Sequence, residues 1–277
     1  MRELPADFKG RDFIRIAAWT PDELKLVLDL ADELKELQRE RKEHRLLPGR
    51  ALGMIFEKPS TRTRVSFEVG IAQLGGFGLY LRADDLQLGR GETIKDTANV
   101  LSRYLDGIVI RTFSHEDVEE LAAHASVPVV NGLTDVAHPC QILADLMTIR
   151  ERLGRLSGVR IAYFGDGNNV CASLMTAAAK LGMRFVAAIP EGYDPDDSVV
   201  KTARRAAVQS GGTVELVRDP HEAAKGAEVL YTDVWTSMGQ EDERARRQEA
   251  FARYQLNERL VGFAKPSVLV KIGRAHV

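Results

Sequence analysis

The sequence predicts an α/β protein of two doubly wound domains, each a parallel sheet flanked by helices. Three observations carry this. From residue 51 onward, short apolar runs alternate with segments of helical length, the pattern of parallel strands joined by helical crossovers. The alternation comes in two sets, before and after one long helical segment at 139–153. A chain of 277 residues with 44% apolar content also suffices for two cores.

The first element is a helix. Thr20-Pro21-Asp22-Glu23 supplies a cap, a proline at the first helical position and an acid at the third. Leu24, Val27, Leu28, Ala31, Leu34 and Leu37 then recur at helical spacing and predict one buried face. The run 35–45 mixes acids and bases, so it reads as the solvated end of that helix. In the first set, strands are expected at 51–56, 78–81, 107–111 and 127–131, and helices at 62–74, 93–105, 115–125 and 139–153. In the second set, strands are expected at 159–164, 184–188, 213–217 and 229–232, with helices starting at Asn169, Asp197 and Pro220. The domain boundary is placed inside the 139–153 helix or just after it, near Gly154–Gly158, and is drawn at 150/151.

Composition narrows the class. A net charge of −2 gives no reason to expect nucleic acid or an anionic membrane as partner. No apolar run reaches membrane-spanning length, and Met1-Arg-Glu-Leu-Pro5 lacks a signal-peptide core. Two cysteines, Cys140 and Cys171, make no disulfide framework. The expectation is a cytoplasmic protein.

The chemistry concentrates at Phe56-Glu-Lys-Pro-Ser-Thr-Arg-Thr-Arg-Val-Ser-Phe-Glu68. Pro59 ends a strand, and Ser60 or Thr61 can cap the following helix. A helix start offers unpaired N–H groups and the positive end of a dipole. Ser60, Thr61 and Thr63 add hydroxyls there, and Arg62 adds a fork suited to phosphate. The glycines and lysine of a Walker loop are absent. Arg111 ends another strand, where ligands of open α/β sheets gather. His138-Pro139-Cys140-Gln141 opens a helix. A Cys140 nucleophile with a His138 base is unsupported, because such pairs come from distant parts of a chain. Hydrogen-bond donation fits better, from His138 to a carbonyl oxygen and from Gln141 to an amide group of a ligand.

In the second set, Gly165-Asp166-Gly167-Asn168-Asn169 follows a strand and opens a helix. It is not a dinucleotide turn, since Val170 stands where the third glycine belongs. Asn168 and Asn169 are instead placed to present amides to a small polar ligand. Asp233 follows the strand at 229–232 and suits an ammonium group, and Ser237-Met238-Gly239 is a flexible loop beside it.

Four of these stretches resemble, in order, the motifs of the aspartate/ornithine carbamoyltransferases: Pro59-Ser-Thr-Arg-Thr-Arg64 with Ser66-Phe-Glu68, His138-Pro-Cys-Gln141, Gly165-Asp-Gly-Asn-Asn169, and Asp233-Val-Trp-Thr-Ser-Met-Gly239. The last resembles the ornithine type; aspartate-type and putrescine-type members differ there. The resemblance implies that carbamoyl phosphate binds through Ser60, Thr61, Arg62, Thr63, Gln87, Arg111, His138, Pro139, Cys140 and Gln141. Arg62, Arg111 and His138 take the catalytic part, and ornithine is held by Asn169, Asp233, Ser237 and Met238. It implies citrulline and phosphate as products and no metal or organic cofactor. It also implies a homotrimer in which Gln87 reaches a neighbouring subunit, although Gly91 stands where many members carry a basic residue. Residues 1–150 would bind carbamoyl phosphate and residues 151–270 ornithine.

The chain departs from the pattern at its end. Members carry a His-Cys-Leu-Pro loop after the strand near 267–270, and here the text reads Lys271-Ile-Gly-Arg-Ala-His-Val277. Ile272–Val277 is what a widely used sequencing adapter encodes in one frame, so residues 271–277 are expected to be non-native and the ornithine-binding domain incomplete. A carbamoyl-phosphate-binding relative without catalysis is the alternative if that end is genuine. Aspartate-type catalysis is opposed by the Ser237-Met238-Gly239 loop.

Overall fold

A computed structural model describes residues 5–87, 91–236, 239 and 241–273. Contacts divide the chain into two units, Met1–Cys140 and Gln141–Val277, with the division inside helix α5 (Pro139–Leu153).

The first unit opens with α1 (Pro21–Arg39), closed by a complete capping box. The Thr20 hydroxyl accepts from the Glu23 amide at 3.3 Å, and the Glu23 carboxylate accepts from the Thr20 amide at 2.6 Å. Leu24 and Leu28 are buried, while Val27, Ala31, Leu34 and Leu37 are half-buried. Four parallel strands follow: β1 (Ala51–Phe56), β2 (Phe77–Arg82), β3 (Gly107–Arg111) and β4 (Val129–Leu133), in the order β2-β1-β3-β4. Helices α2 (Thr61–Gln73), α3 (Ile94–Leu101) and α4 (His115–His124) connect them.

Alternation along β3 sorts the two faces. Ile108 and Ile110 join Ala98, Val118 and Leu121 of α3 and α4, whereas Val109 joins Met54, Phe56 and Phe67 of β1 and α2. Helices therefore cover both faces, as parallel strands require. Strand β4 starts and ends later than the sequence predicts. Pro128 lacks the N–H that a paired strand needs. Pairing with β3 begins at Val129, and an irregularity after Ile110 carries it to Leu133.

The second unit has five parallel strands: β5 (Arg160–Phe164), β6 (Arg184–Ala188), β7 (Thr213–Val217), β8 (Val229–Thr232) and β9 (Leu269–Ile272), in the order β7-β6-β5-β8-β9. Its helices are α6 (Asn169–Lys180), α7 (Asp197–Ser210), α8 (Pro220–Ala224), α9 (Arg244–Phe251) and α10 (Glu258–Val261). One sheet face packs Ala162, Phe164, Val186 and Leu230 against Ala223, Ala224, Tyr254 and Leu260. Helix α9 escaped sequence reading because Arg244-Ala-Arg-Arg-Gln-Glu-Ala-Phe251 carries almost no apolar stripe. Strand β9 runs through Lys271 and Ile272, which pair with Tyr231 and Thr232 of β8.

Candidate active site

In an open α/β sheet, ligands collect where the strand order reverses, beyond the carboxyl ends. In the first sheet that place lies between β1 and β3, whose last residues, Phe56 and Arg111, are register partners. The chain leaving β1 is locked to the chain leaving β3. The Glu57 amide donates to the Arg111 carbonyl at 2.9 Å, and the Glu57 carboxylate accepts from the Phe113 amide at 3.1 Å and from the Thr112 hydroxyl. Lys58 is also committed: its buried ammonium lies 3.8 Å from the Phe113 ring centroid and pairs with Asp135.

This fixes the start of α2. Ser60 is the cap, its hydroxyl accepting from the Thr63 amide at 3.3 Å and donating to the Thr63 hydroxyl at 3.0 Å. Arg111, only 7% exposed, donates from Nη1 to the same Thr63 hydroxyl at 3.4 Å. Ser60, Thr63 and Arg111 thus form one cluster. Thr61 and Arg62 occupy the next helical positions and are exposed. Arg62 makes no ion pair among the described residues, whereas Arg64 turns aside to Glu68 at 3.2 Å and stacks 3.7 Å from the Tyr80 ring centroid. Arg62 is thus placed to meet a ligand beside Arg111.

His138 precedes α5. Burial, helped by the Arg111 charge, pushes its imidazole down to about 3, so it is neutral at neutral pH and suited to donate a hydrogen bond. Burial pushes the Cys140 thiol up to about 12, and Sγ donates to the Asn131 carbonyl at 3.4 Å. That disfavours a nucleophilic thiolate, in keeping with the sequence reading that a Cys140 nucleophile is unsupported. Pro139 is buried at the first position of α5, and Gln87 is exposed. Gln141 differs from expectation: its Nε2 donates to both oxygens of Asp145 at 3.2 Å. What it offers a ligand is the carbonyl Oε1, an acceptor.

In the second sheet the reversal lies between β5 and β8, where Phe164 and Thr232 are register partners and the Thr232 hydroxyl donates to the Phe164 carbonyl at 2.8 Å. Asn168 caps α6, its Oδ1 accepting from the Val170 and Cys171 amides at 3.0 and 3.1 Å. That assigns the first asparagine to the helix and leaves half-buried Asn169, one residue on, at the sheet's open end. The glycine at 167 has a local cause: a Cβ there would stand 2.3 Å from the Pro195 backbone nitrogen. Close passage of two chain segments, not a pyrophosphate, requires it. Asp233 follows β8 and is half-buried. Ser237 and Met238 lie outside the described residues.

Two supporting residues were missed in the sequence. Arg247 of α9 is buried and donates from Nη1 to Asp166 at 2.8 Å and to the Trp235 carbonyl at 3.1 Å, while its Nε donates to Glu243 at 2.8 Å. It thereby ties the Gly165–Asn169 turn to the stretch after Asp233. Buried Asp145 accepts from Gln141, from the Tyr231 hydroxyl at 2.7 Å, and from Lys271 at 2.7 Å. Only the Glu243/Arg247 spacing gave a local hint. Among the described residues, no group of three His, Cys, Asp or Glu side chains comes together to hold a metal.

Residues 11–151 match the carbamoyl-P binding domain of the aspartate/ornithine carbamoyltransferases, and residues 157–270 match the family's Asp/Orn binding domain. The chain belongs to the aspartate/ornithine carbamoyltransferase family. Within that family it is 57% identical to an ornithine carbamoyltransferase of Thermococcus kodakarensis, over 94% of this chain and 82% of that one. It is 56% identical to the Oceanobacillus iheyensis protein of the same name, over 95% of this chain and 82% of the other. The crystal structure of the Pyrococcus furiosus ornithine carbamoyltransferase superposes with a TM-score of 0.93 at 54% identity, covering 96% of this chain and 85% of that one. The two sheets of this carbamoyltransferase-family chain are therefore a shared architecture.

Proposed function

We propose that the chain transfers the carbamoyl group of carbamoyl phosphate to the δ-amine of L-ornithine, giving L-citrulline and phosphate. The observation that carries this reading is the Ser60–Thr63–Arg111 cluster at the reversal of the first sheet, with exposed Arg62 beside it. It is supported by relatives named ornithine carbamoyltransferase at 55–57% identity. The phosphate is held by Ser60, Thr61, Arg62 and Thr63 and by the α2 amides. Thr63, Arg111 and neutral His138 donate to the carbonyl oxygen, while Gln141 accepts from the carbamoyl NH₂. The neutral δ-amine, with ornithine oriented by Asn169, Asp233, Ser237 and Met238, attacks the carbonyl carbon. The tetrahedral oxyanion is stabilised by those donors, and the C–O bond to phosphate breaks as the departing phosphate takes up the proton the attacking nitrogen loses.

Assembly and location belong to the same reading. A homotrimer with Gln87 reaching a neighbour is supported by apolar surface on edge strand β2, where Phe77 and Leu79 are 50% and 42% exposed, and on α2, where Val65 and Val69 are exposed. A cytoplasmic location and a place in arginine metabolism complete it; two free thiols support a reducing compartment.

The test is incubation with carbamoyl phosphate and L-ornithine, reading citrulline, with L-aspartate as a parallel acceptor. Citrulline with no carbamoyl-aspartate is expected. Carbamoyl-aspartate as product would overturn the acceptor assignment. Saturable carbamoyl phosphate binding without citrulline would reduce the function to binding.

A further inference from the structure

Gln141 and Asp145 stand one turn apart on one face of α5, and the Gln141 Nε2 faces both carboxylate oxygens at 3.2 Å. Asp145 is 1% exposed and also receives the Tyr231 hydroxyl. Its oxygens accept from the Gln141 amide and from the Tyr231 hydroxyl. A glutamine amide turned over by 180° has almost the same shape, so packing does not choose between its two ends. Asp145 makes that choice, drawing in the NH₂ so that Oε1 is the end turned away from the carboxylate.

We infer that Asp145 is a positioning residue that presents Gln141 as an acceptor for the carbamoyl NH₂, and so sets the preference for carbamoyl over acyl phosphates. This rests on the carbamoyl-transfer reading above. With the amide turned over, its NH₂ would oppose the carbamoyl NH₂, donor against donor. Acetyl phosphate keeps the phosphate and the carbonyl but has a methyl group in place of NH₂, so it leaves Oε1 unpaired. Sites that pair with a substrate N–H reject analogues lacking it far more strongly than sites that only enclose it.

The experiment measures equilibrium binding of carbamoyl phosphate, acetyl phosphate and inorganic phosphate to the full chain. Asp145→Leu, near-isosteric and without an acceptor, should weaken carbamoyl phosphate about tenfold or more, the size of one lost hydrogen bond to a buried group. Acetyl phosphate and inorganic phosphate should change by less than about twofold, and Asp145→Ala, which also lacks an acceptor, provides the same comparison if the leucine variant does not fold. In a Gln141→Leu background the Asp145 substitution should add nothing, since the two act as one unit. Tyr231→Phe removes another donor from the same carboxylate and should leave the carbamoyl-to-acetyl ratio as in the wild type. A wild-type ratio in both Asp145 variants, or an equal shift in Tyr231→Phe, overturns the inference alone. A wild-type chain that binds phosphate but not carbamoyl phosphate overturns the functional reading and this inference with it.

Discussion

Arg111 and Thr63 meet at the open end of the first sheet, the guanidinium donating to the threonine hydroxyl at 3.4 Å. One residue closes β3 and the other lies in the first turn of α2. Their meeting follows from the pairing of β1 with β3, which sets Phe56 beside Arg111. The hydroxyl also receives Ser60, so a cap, a strand end and a helix start are joined in one hydrogen-bonded group.

Arg62 lies beside that group, and among the described residues no acid pairs with it. Arg62→Ala should raise the KM for carbamoyl phosphate roughly ten- to a hundredfold, the size of a lost charge-assisted hydrogen bond. Stability should change little, because the side chain is exposed. Steady-state kinetics checks this, and near-normal kinetics would remove Arg62 from the site.

His138 links the site to pH. Folded, its imidazole is held down to about 3 from the usual 6.5; unfolded, it takes a proton near 6.5. The unfolded state therefore binds the extra proton between those values. Stability is at its full value above 6.5 and falls as pH drops towards 3. Urea unfolding at several pH values should show that slope, and His138→Gln should flatten it. An unchanged slope would contradict the neutral imidazole.

Cys140 should resist alkylation. With its thiol pushed up to about 12 and bonded to the Asn131 carbonyl, almost no thiolate is present at pH 8. Iodoacetamide should label it slowly in the native chain and fast in urea, followed by mass spectrometry. Labelling at the rate of a free thiol would show an open, reactive cysteine.

Arg247 neutralises Asp166 in a buried setting. Arg247→Ala leaves that carboxylate without its ion-pair partner and should destabilise the second unit by about 3–5 kcal/mol. Asp166→Asn in the same chain should recover part of the loss, because a buried amide carries no net charge. Thermal melts of the single and double variants decide it; equal losses in both would mean that Arg247 acts by packing alone.

The local code was legible where each element carries its own signal. The capping box at Thr20–Glu23, the strand at Ala51–Phe56, the proline-led α5 and the Ser60 cap all follow from neighbouring residues. The four motifs lay in contiguous stretches, so the candidate residues were visible as well. Strand order was not. It depends on pairing between segments far apart in sequence, and it alone brings Arg111 to Thr63 and places Asn169 and Asp233 at the ends of neighbouring strands β5 and β8. Asp145 and Arg247 stayed hidden for the same reason. An acid or a base on a helix reads as solvent-facing until the fold buries it, and only tertiary structure supplies the Tyr231 hydroxyl and the Asp166 carboxylate that make those buried charges tolerable.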